Sequence, residues 1–215
     1  MPADGLDQLR GFDAIYFGAV GHPSVPDHVS LWGLLIPIRR VSAVRLPQAG
    51  PPAQWCRLTR RGLSSPKYRL CIVRENNEGE YSEVGGRLYA HTDAEMAVQE
   101  TVFTRRGCDR VMAYAFNLAR TRRRHVTSAT KSNGIIHTMP FWDERFSTVA
   151  QGFPGIRTDQ YHIDILTAHF VRHPDWFDVV VASNLFGDIL SDLGAAVVGS
   201  IGLAPSANLN PEPKM

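Results

Sequence analysis

Residues 177–194 read F-D-V-V-V-A-S-N-L-F-G-D-I-L-S-D-L-G. Phe177 to Ala182 is a short apolar run flanked by Pro174 and Asn184, which predicts a buried strand. It runs directly into a helix starting near Leu185. Outward from this pair the same alternation recurs. Strands are expected at Tyr68 to Arg74, Arg87 to His91, His125 to Ala129 and Ile156 to Tyr161, and helices near 28–40, Ala94 to Val102, Arg105 to Arg122, Pro140 to Ala150 and Ile163 to Arg172. An eight-residue run at 13–20, D-A-I-Y-F-G-A-V, closed by Gly21, His22 and Pro23, reads as a further buried strand. Strands alternating with helices imply an α/β fold built on a largely parallel sheet. The stretch 41–67 breaks the order. With Pro47, Pro51, Pro52 and Pro66 and no apolar period, it reads as a surface loop or as a segment that has lost its original meaning.

The chain has 215 residues, 44% hydrophobic and 20% charged, with a formal net charge of +2. Such a balance demands neither nucleic acid nor an anionic membrane as partner. The basic clusters at Arg57, Arg60 and Arg61 and at Arg120 to Arg124 read as solvated surface. Cys56, Cys71 and Cys108 form no C-x-x-C pair, which points away from disulfides and thiolate zinc and towards a reducing, cytoplasmic setting. No segment approaches the about 18 apolar residues of a membrane span.

Asp188 and Asp192 stand at i and i+4, on one helical face, with no basic residue three or four positions away. The helix starts at the carboxyl end of a strand, where open α/β sheets bind ligands. A cation should neutralise the pair, and oxygen donors favour Mg²⁺ or Mn²⁺. Asp164, just past another predicted strand, offers a third carboxylate. In A-T-K-S-N-G, Lys131 follows a strand; near carboxylates and a metal such a lysine can act as general base. In V-R-E-N-N-E-G-E-Y-S, Arg74 offers a planar fork for a carboxylate and Tyr81 a phenol able to donate a proton.

Those two motifs, with Y-H-I-D at 161–164, S-N-L-F-G-D-I-L-S-D-L-G at 183–194 and A-P-S-A-N-L-N-P-E at 204–212, resemble in order and spacing the isocitrate/isopropylmalate dehydrogenase superfamily. The resemblance covers 1–40 and 68–212. Within it, G-A-V-G-H-P-S-V-P-D-H-V-S-L-W-G at 18–33, H-T-D-A-E-M-A-V-Q-E at 91–100 and Q-Y-H-I-D-I-L-T-A-H-F-V at 160–171 are most similar to tartrate dehydrogenase/decarboxylases and D-malate dehydrogenases. Trp32 speaks against the isopropylmalate branch, where an acid-flanked leucine pair is expected.

The resemblance implies an isopropylmalate-dehydrogenase-like α/β fold, a central parallel or mixed sheet flanked by helices. Residues 1–67 would be part of a large domain with a divergent segment, 68–173 mostly a smaller dimer-forming domain, and 174–215 a return to the large domain. It implies NAD- and Mg²⁺- or Mn²⁺-dependent oxidative decarboxylation of a 2-hydroxy diacid by a homodimer, with K⁺ as a further ion. Asp164, Asp188 and Asp192 would hold the metal, Asp164 and the base Lys131 reaching across the dimer. Tyr81 would protonate carbon after decarboxylation. Arg39 and Arg74 would clamp substrate carboxylates, and Trp32 to Ile36 would read the substituent at C3. Relative to the family an early strand with its glycine-rich turn and a later H-G-S-A-P-D-I cofactor loop are absent, and Ser42 stands where a second substrate arginine is expected. A non-catalytic remnant, or a subunit that lends Lys131 and Asp164 to a complete chain, is therefore the competing expectation.

Overall fold

The structure, a computed structural model, describes residues 2, 4–18, 20–39, 44–49, 70–199 and 204–210, and of 44–49 the main chain only. Ser42, Cys56, the Arg57, Arg60 and Arg61 cluster and the first residues of the strand expected from Tyr68 lie outside the described residues. The chain runs through α1 (Gly5–Leu9), α2 (Asp27–Ser30), a π-helical turn (Leu31–Leu35), α3 (Ile36–Arg39), β1 (Val44–Ala49) and β2 (Leu70–Glu75). There follow β3 (Gly85–Leu88), β4 (Met96–Gln99), α4 (Arg105–Arg120), β5 (His125–Thr130), α5 (Thr138–Gln151) and β6 (Arg157–His162). The last elements are α6 (Ile163–Arg172), β7 (Val179–Ala182), α7 (Asn184–Val198) and β8 (Ser206–Leu209).

Six strands form one mixed sheet in the order β6-β5-β7-β2-β1-β8. Strands β6, β5, β7 and β2 are parallel, with Val126 paired to both Thr158 and Val179, and Arg74 to Ala182. Only β1 runs against both of its neighbours. Parallel crossovers are right-handed, which sets α4 and α5 on one face of the sheet and α6 and α7 on the other; α4 packs on α5 and α6 on α7. The central strands are buried on both faces, as continuous apolar runs in parallel sheets are: every residue of β2, β5 and β7 is buried. On α4 the buried positions Cys108, Val111, Met112, Ala115, Phe116 and Ala119 fall three and four apart, so one stripe faces the sheet. Trp142 of α5, Phe170 of α6 and Phe177 complete the core.

Three expectations are corrected. Residues 13–18 and 20 form no strand, and Ile15, Tyr16 and Phe17 are exposed. An apolar run becomes a strand only where another strand pairs with it, and among the described residues none does. The helix expected at Ala94 to Val102 is instead β4, antiparallel to β3 from Gly85↔Gln99 to Leu88↔Met96. A segment this short fits either period, and cross-strand pairing decides; Tyr89 and His91, both at positive φ, turn the chain between the strands. The stretch 41–67 is not all loop, because 44–49 lie inside the sheet. The register of β1 with β2 is formed at Val44, Arg45, Gln48 and Ala49 and passes over Leu46 and Pro47, where proline has no N–H to give. On the other side Val44 to Pro47 pair with Leu209 to Ser206 of β8, a strand that no period in the sequence announced.

Candidate active site

The parallel strands β6, β5, β7 and β2 end at one edge of the sheet, and Asp164, Lys131, Asp188 and Tyr81 follow those ends. Arg74, the penultimate residue of β2, has no solvent exposure. Its Nε and Nη2 donate to Oδ1 of Asn184 at 3.1 and 2.6 Å, and its Nη1 donates to the Asp188 carboxylate. The other oxygen of Asp188 accepts from the Tyr81 hydroxyl at 2.9 Å, and the guanidinium lies 5.8 Å from the Tyr81 ring. So Arg74, Tyr81 and Asp188 form one network, although 107 residues separate Tyr81 from Asp188. Burial first, and the Asp188 carboxylate second, push the Tyr81 phenol up to about 12, so it is held protonated at neutral pH, as a proton donor must be.

The sequence reading expected a cation for Asp188 to be a metal, since its own helix offers none. Arg74 already supplies one. Helical spacing cannot reveal a partner 114 residues away. Along α7, Leu190 is buried, whereas Ile189 and Asp192 are exposed and Asp188 is half-buried, so the two carboxylates lie towards the open side of a mostly buried helix. Asp188 and Asp192 are hard oxygen donors one turn apart and suit Mg²⁺ or Mn²⁺. Among the described residues of one chain, no third His, Cys, Asp or Glu converges with them.

Lys131 and Asp164 meet elsewhere on the same edge. Lys131 Nζ donates to Asp164 Oδ1 at 2.7 Å, and that bond holds the Asp164 carboxyl below its ordinary range. The two follow β5 and β6, and β6 stands two strands from β7, which leads into Asp188. The structure therefore brings Lys131 to Asp164, and brings Arg74, Tyr81 and Asp188 together, as two separate groups.

A small pocket beside Tyr81 is lined by Ile36, Arg39, Asn76, Asn77, Tyr81 and Asn184. Arg39 is thus on its wall, and of the Trp32 to Ile36 stretch it is Ile36 that reaches it. Asn76 Nδ2 donates to the Arg39 carbonyl at 3.1 Å and ties the end of α3 to the loop after β2.

The acidic residues of V-R-E-N-N-E-G-E-Y-S went unassigned from sequence, and each fixes something. Glu75 is fully buried, which raises its carboxyl; it accepts from the Asn77 N–H at 2.8 Å and from Arg110 at 3.2 and 3.4 Å. Glu78 accepts from the N–H and the hydroxyl of Thr104, both at 2.8 Å, and Thr104 caps α4. Glu80 accepts from the Ser183 hydroxyl at 2.6 Å and the Leu185 N–H at 2.9 Å, at the start of α7. Carboxylates are stabilising at helix N-termini. Asn184 also went unassigned: its oxygen takes two bonds from Arg74, and its nitrogen donates to the Glu78 carbonyl at 3.2 Å. The only sequence signal for these roles is S-N at the strand-to-helix junction, a capping pattern.

The sequence pattern of the isocitrate/isopropylmalate dehydrogenase family matches residues 1–215, the stretch 41–67 included. The chain belongs to this family. Its relatives include a probable tartrate dehydrogenase/decarboxylase of Bacillus subtilis, 54% identical over the whole chain and 60% of that protein. A D-malate dehydrogenase (decarboxylating) of Escherichia coli is 56% identical over 99% of the chain and 60% of its own length. The crystal structure of isocitrate dehydrogenase from Methylococcus capsulatus superposes with a TM-score of 0.74 at 30% identity, covering 98% of this chain and 60% of the other. The chain thus has the isocitrate-dehydrogenase-like fold and spans about 60% of the length of the relatives it matches. Among the described residues no helix is long and apolar enough to cross a membrane.

Proposed function

We propose that the chain carries the proton-transfer and carboxylate-binding residues of an NAD- and divalent-metal-dependent enzyme that oxidises and decarboxylates tartrate or D-malate. The observation that carries this reading is the Tyr81 phenol, donating to Asp188 at the wall of a pocket that Arg39 also lines, in a chain of this family. Lys131 would take the proton of the 2-hydroxyl, and bound NAD would supply the hydride acceptor for C2. The carboxylate on C3 then departs as CO₂, its bonding electrons enter the C2–C3 bond, and Tyr81 gives its proton to C3. Arg39 holds a substrate carboxylate from the pocket wall. Arg74 binds a second one as its fork exchanges from Asp188 to the substrate. Asp188 and Asp192, with Asp164 of a second copy, would hold Mg²⁺ or Mn²⁺, whose charge favours loss of the hydroxyl proton.

A homodimer is part of the proposal. Lys131, after β5, and Asp164, after β6, lie one and two strands from β7, which leads into Asp188, and a second copy is the source that would complete each site. The β3–β4 ribbon supports this: every residue of both strands is exposed, Leu88, Met96 and Val98 among them. A lone two-stranded ribbon is marginal in water, and a second copy covering it would bury that surface.

The test follows NADH absorbance and CO₂ release with Mn²⁺, K⁺ and each diacid. Lys131→Ala should abolish NADH formation. Tyr81→Phe should leave the NADH-forming step within a few-fold and slow protonated product by about 10²-fold or more, the usual worth of a positioned acid. Equal loss of both steps in both variants would remove the assigned roles.

A further inference from the structure

Three carboxamides line the pocket beside Tyr81, and they differ in what they do. Both ends of Asn184 are engaged, by Arg74 and by the Glu78 carbonyl. Asn76 is engaged through its nitrogen with the Arg39 carbonyl. Asn77 is the exception: its side-chain oxygen is buried and has no hydrogen-bond partner among the described residues. The residue is nonetheless held, since its main-chain N–H donates to the fully buried Glu75 at 2.8 Å. A buried carbonyl oxygen without a donor costs free energy, and the cost is removed when a ligand supplies that donor.

The chemistry at this wall says which ligand group that is. Tyr81 is the residue assigned to protonate C3, so C3 sits against it, and Asn77 lies four residues earlier on the same wall. Tartrate carries a hydroxyl on C3 where D-malate carries only hydrogen. A hydroxyl can donate to the buried Asn77 oxygen. Tartrate would pair that oxygen, whereas D-malate would leave it unpaired. Sites built to bond a substrate hydroxyl reject the analogue that lacks it for this reason.

We infer that Asn77 is a specificity-determining residue, which reads a hydroxyl on C3 of the substrate and biases the pocket towards tartrate over D-malate. The inference rests on the diacid reading of this pocket given above. Calorimetric titration of the full chain with each diacid in the presence of Mn²⁺ tests it without turnover. The expected result is about tenfold tighter binding of tartrate, the worth of one hydrogen bond to a buried group that is otherwise unpaired. Asn77→Leu and Asn77→Ala should erase that ratio and keep the affinity for D-malate, which also reports that each variant is folded. A ratio unchanged in both variants, or a wild-type preference for D-malate, overturns the inference and leaves the diacid reading intact. Loss of both diacids in both variants makes Asn77 a structural residue of the loop and overturns it as well. Failure of the wild type to bind either diacid overturns the diacid reading, and this inference with it.

Discussion

Gly187 lies directly beneath the stem of Arg74. A Cβ on it would stand 2.5 Å from Cγ and 2.7 Å from Cβ of that arginine, and Arg74 is fixed in the middle of the site by three hydrogen bonds. Gly187→Ala should therefore destabilise the fold by about 1–3 kcal/mol, the cost of overpacking, and should weaken diacid binding more than Gly134→Ala, whose Cβ has only contacts near 4 Å. Paired urea melts and titrations check this. Tyr81 yields a pH prediction. Its phenol, normally near 10, is pushed up to about 12 in the folded chain. A raised folded value means that the bond to Asp188 contributes in full below the unfolded value and is lost as pH climbs through the folded one. Urea midpoints of wild type and Tyr81→Phe should accordingly converge between about pH 10 and 12, as the wild type loses its advantage. A constant difference across that window would detach the phenol from Asp188. Arg74, Tyr81, Asp188 and Lys131 were legible as chemistry because their types are suited to it. Asn184, Glu78 and Glu80 were not, because their partners lie 26 to 110 residues away.

At the scale of elements, those which announced themselves were enclosed by their own layer. The helix α4 buries residues at one clear period and the strands β5 and β7 are buried throughout, so α4 is read within two residues of its observed end and β5 within one. Elements set by a partner distant in sequence were misread. Strand β1 contains Pro47 and is held by β2 and β8, and β4 exists because β3 turns back on it. The cap of α4 offers a direct test. Thr104 accepts from the Gly107 N–H at 3.0 Å and is itself gripped by Glu78, whose carboxylate would be struck at 2.2 Å by any Cβ on Gly107. Thr104→Ala should cost about 1 kcal/mol, as lost N-caps do. Glu78→Gln should cost less, because an amide oxygen still accepts one of the two bonds. Denaturant melts that rank the two the other way would shift the stabilisation from hydrogen bonding to the charge at the helix end.

On the scale of the whole molecule, Cys71 and Cys108 are buried in the core, and burial pushes their thiols up to about 11 and about 12. The thiolate is the reactive form, so both should resist a thiol-directed reagent in mildly alkaline buffer and react once urea is added. Rapid labelling of either in the native chain would contradict the core described here. The loop of residues 76–84 joins what the sheet keeps apart. Through Glu78 it holds the start of α4 on one face, and through Glu80 the start of α7 on the other. Its contacts with α7 and the residue before it span 103 to 107 residues, from Glu80–Ser183 to Tyr81–Asp188, whereas Glu78 reaches Thr104 across only 26. The β2–β7 pairing closes a span just as long, from Cys71 to Val179, and brings the two sides of the pocket together. The pocket is thus expected to form no earlier than that pairing. Glu80→Gln should then hasten unfolding while leaving the refolding rate almost untouched, as expected for contacts absent from the transition state. Substrate, for the same reason, would act as a latch: bound in that pocket, it slows the opening of the whole chain and does nothing to speed its assembly.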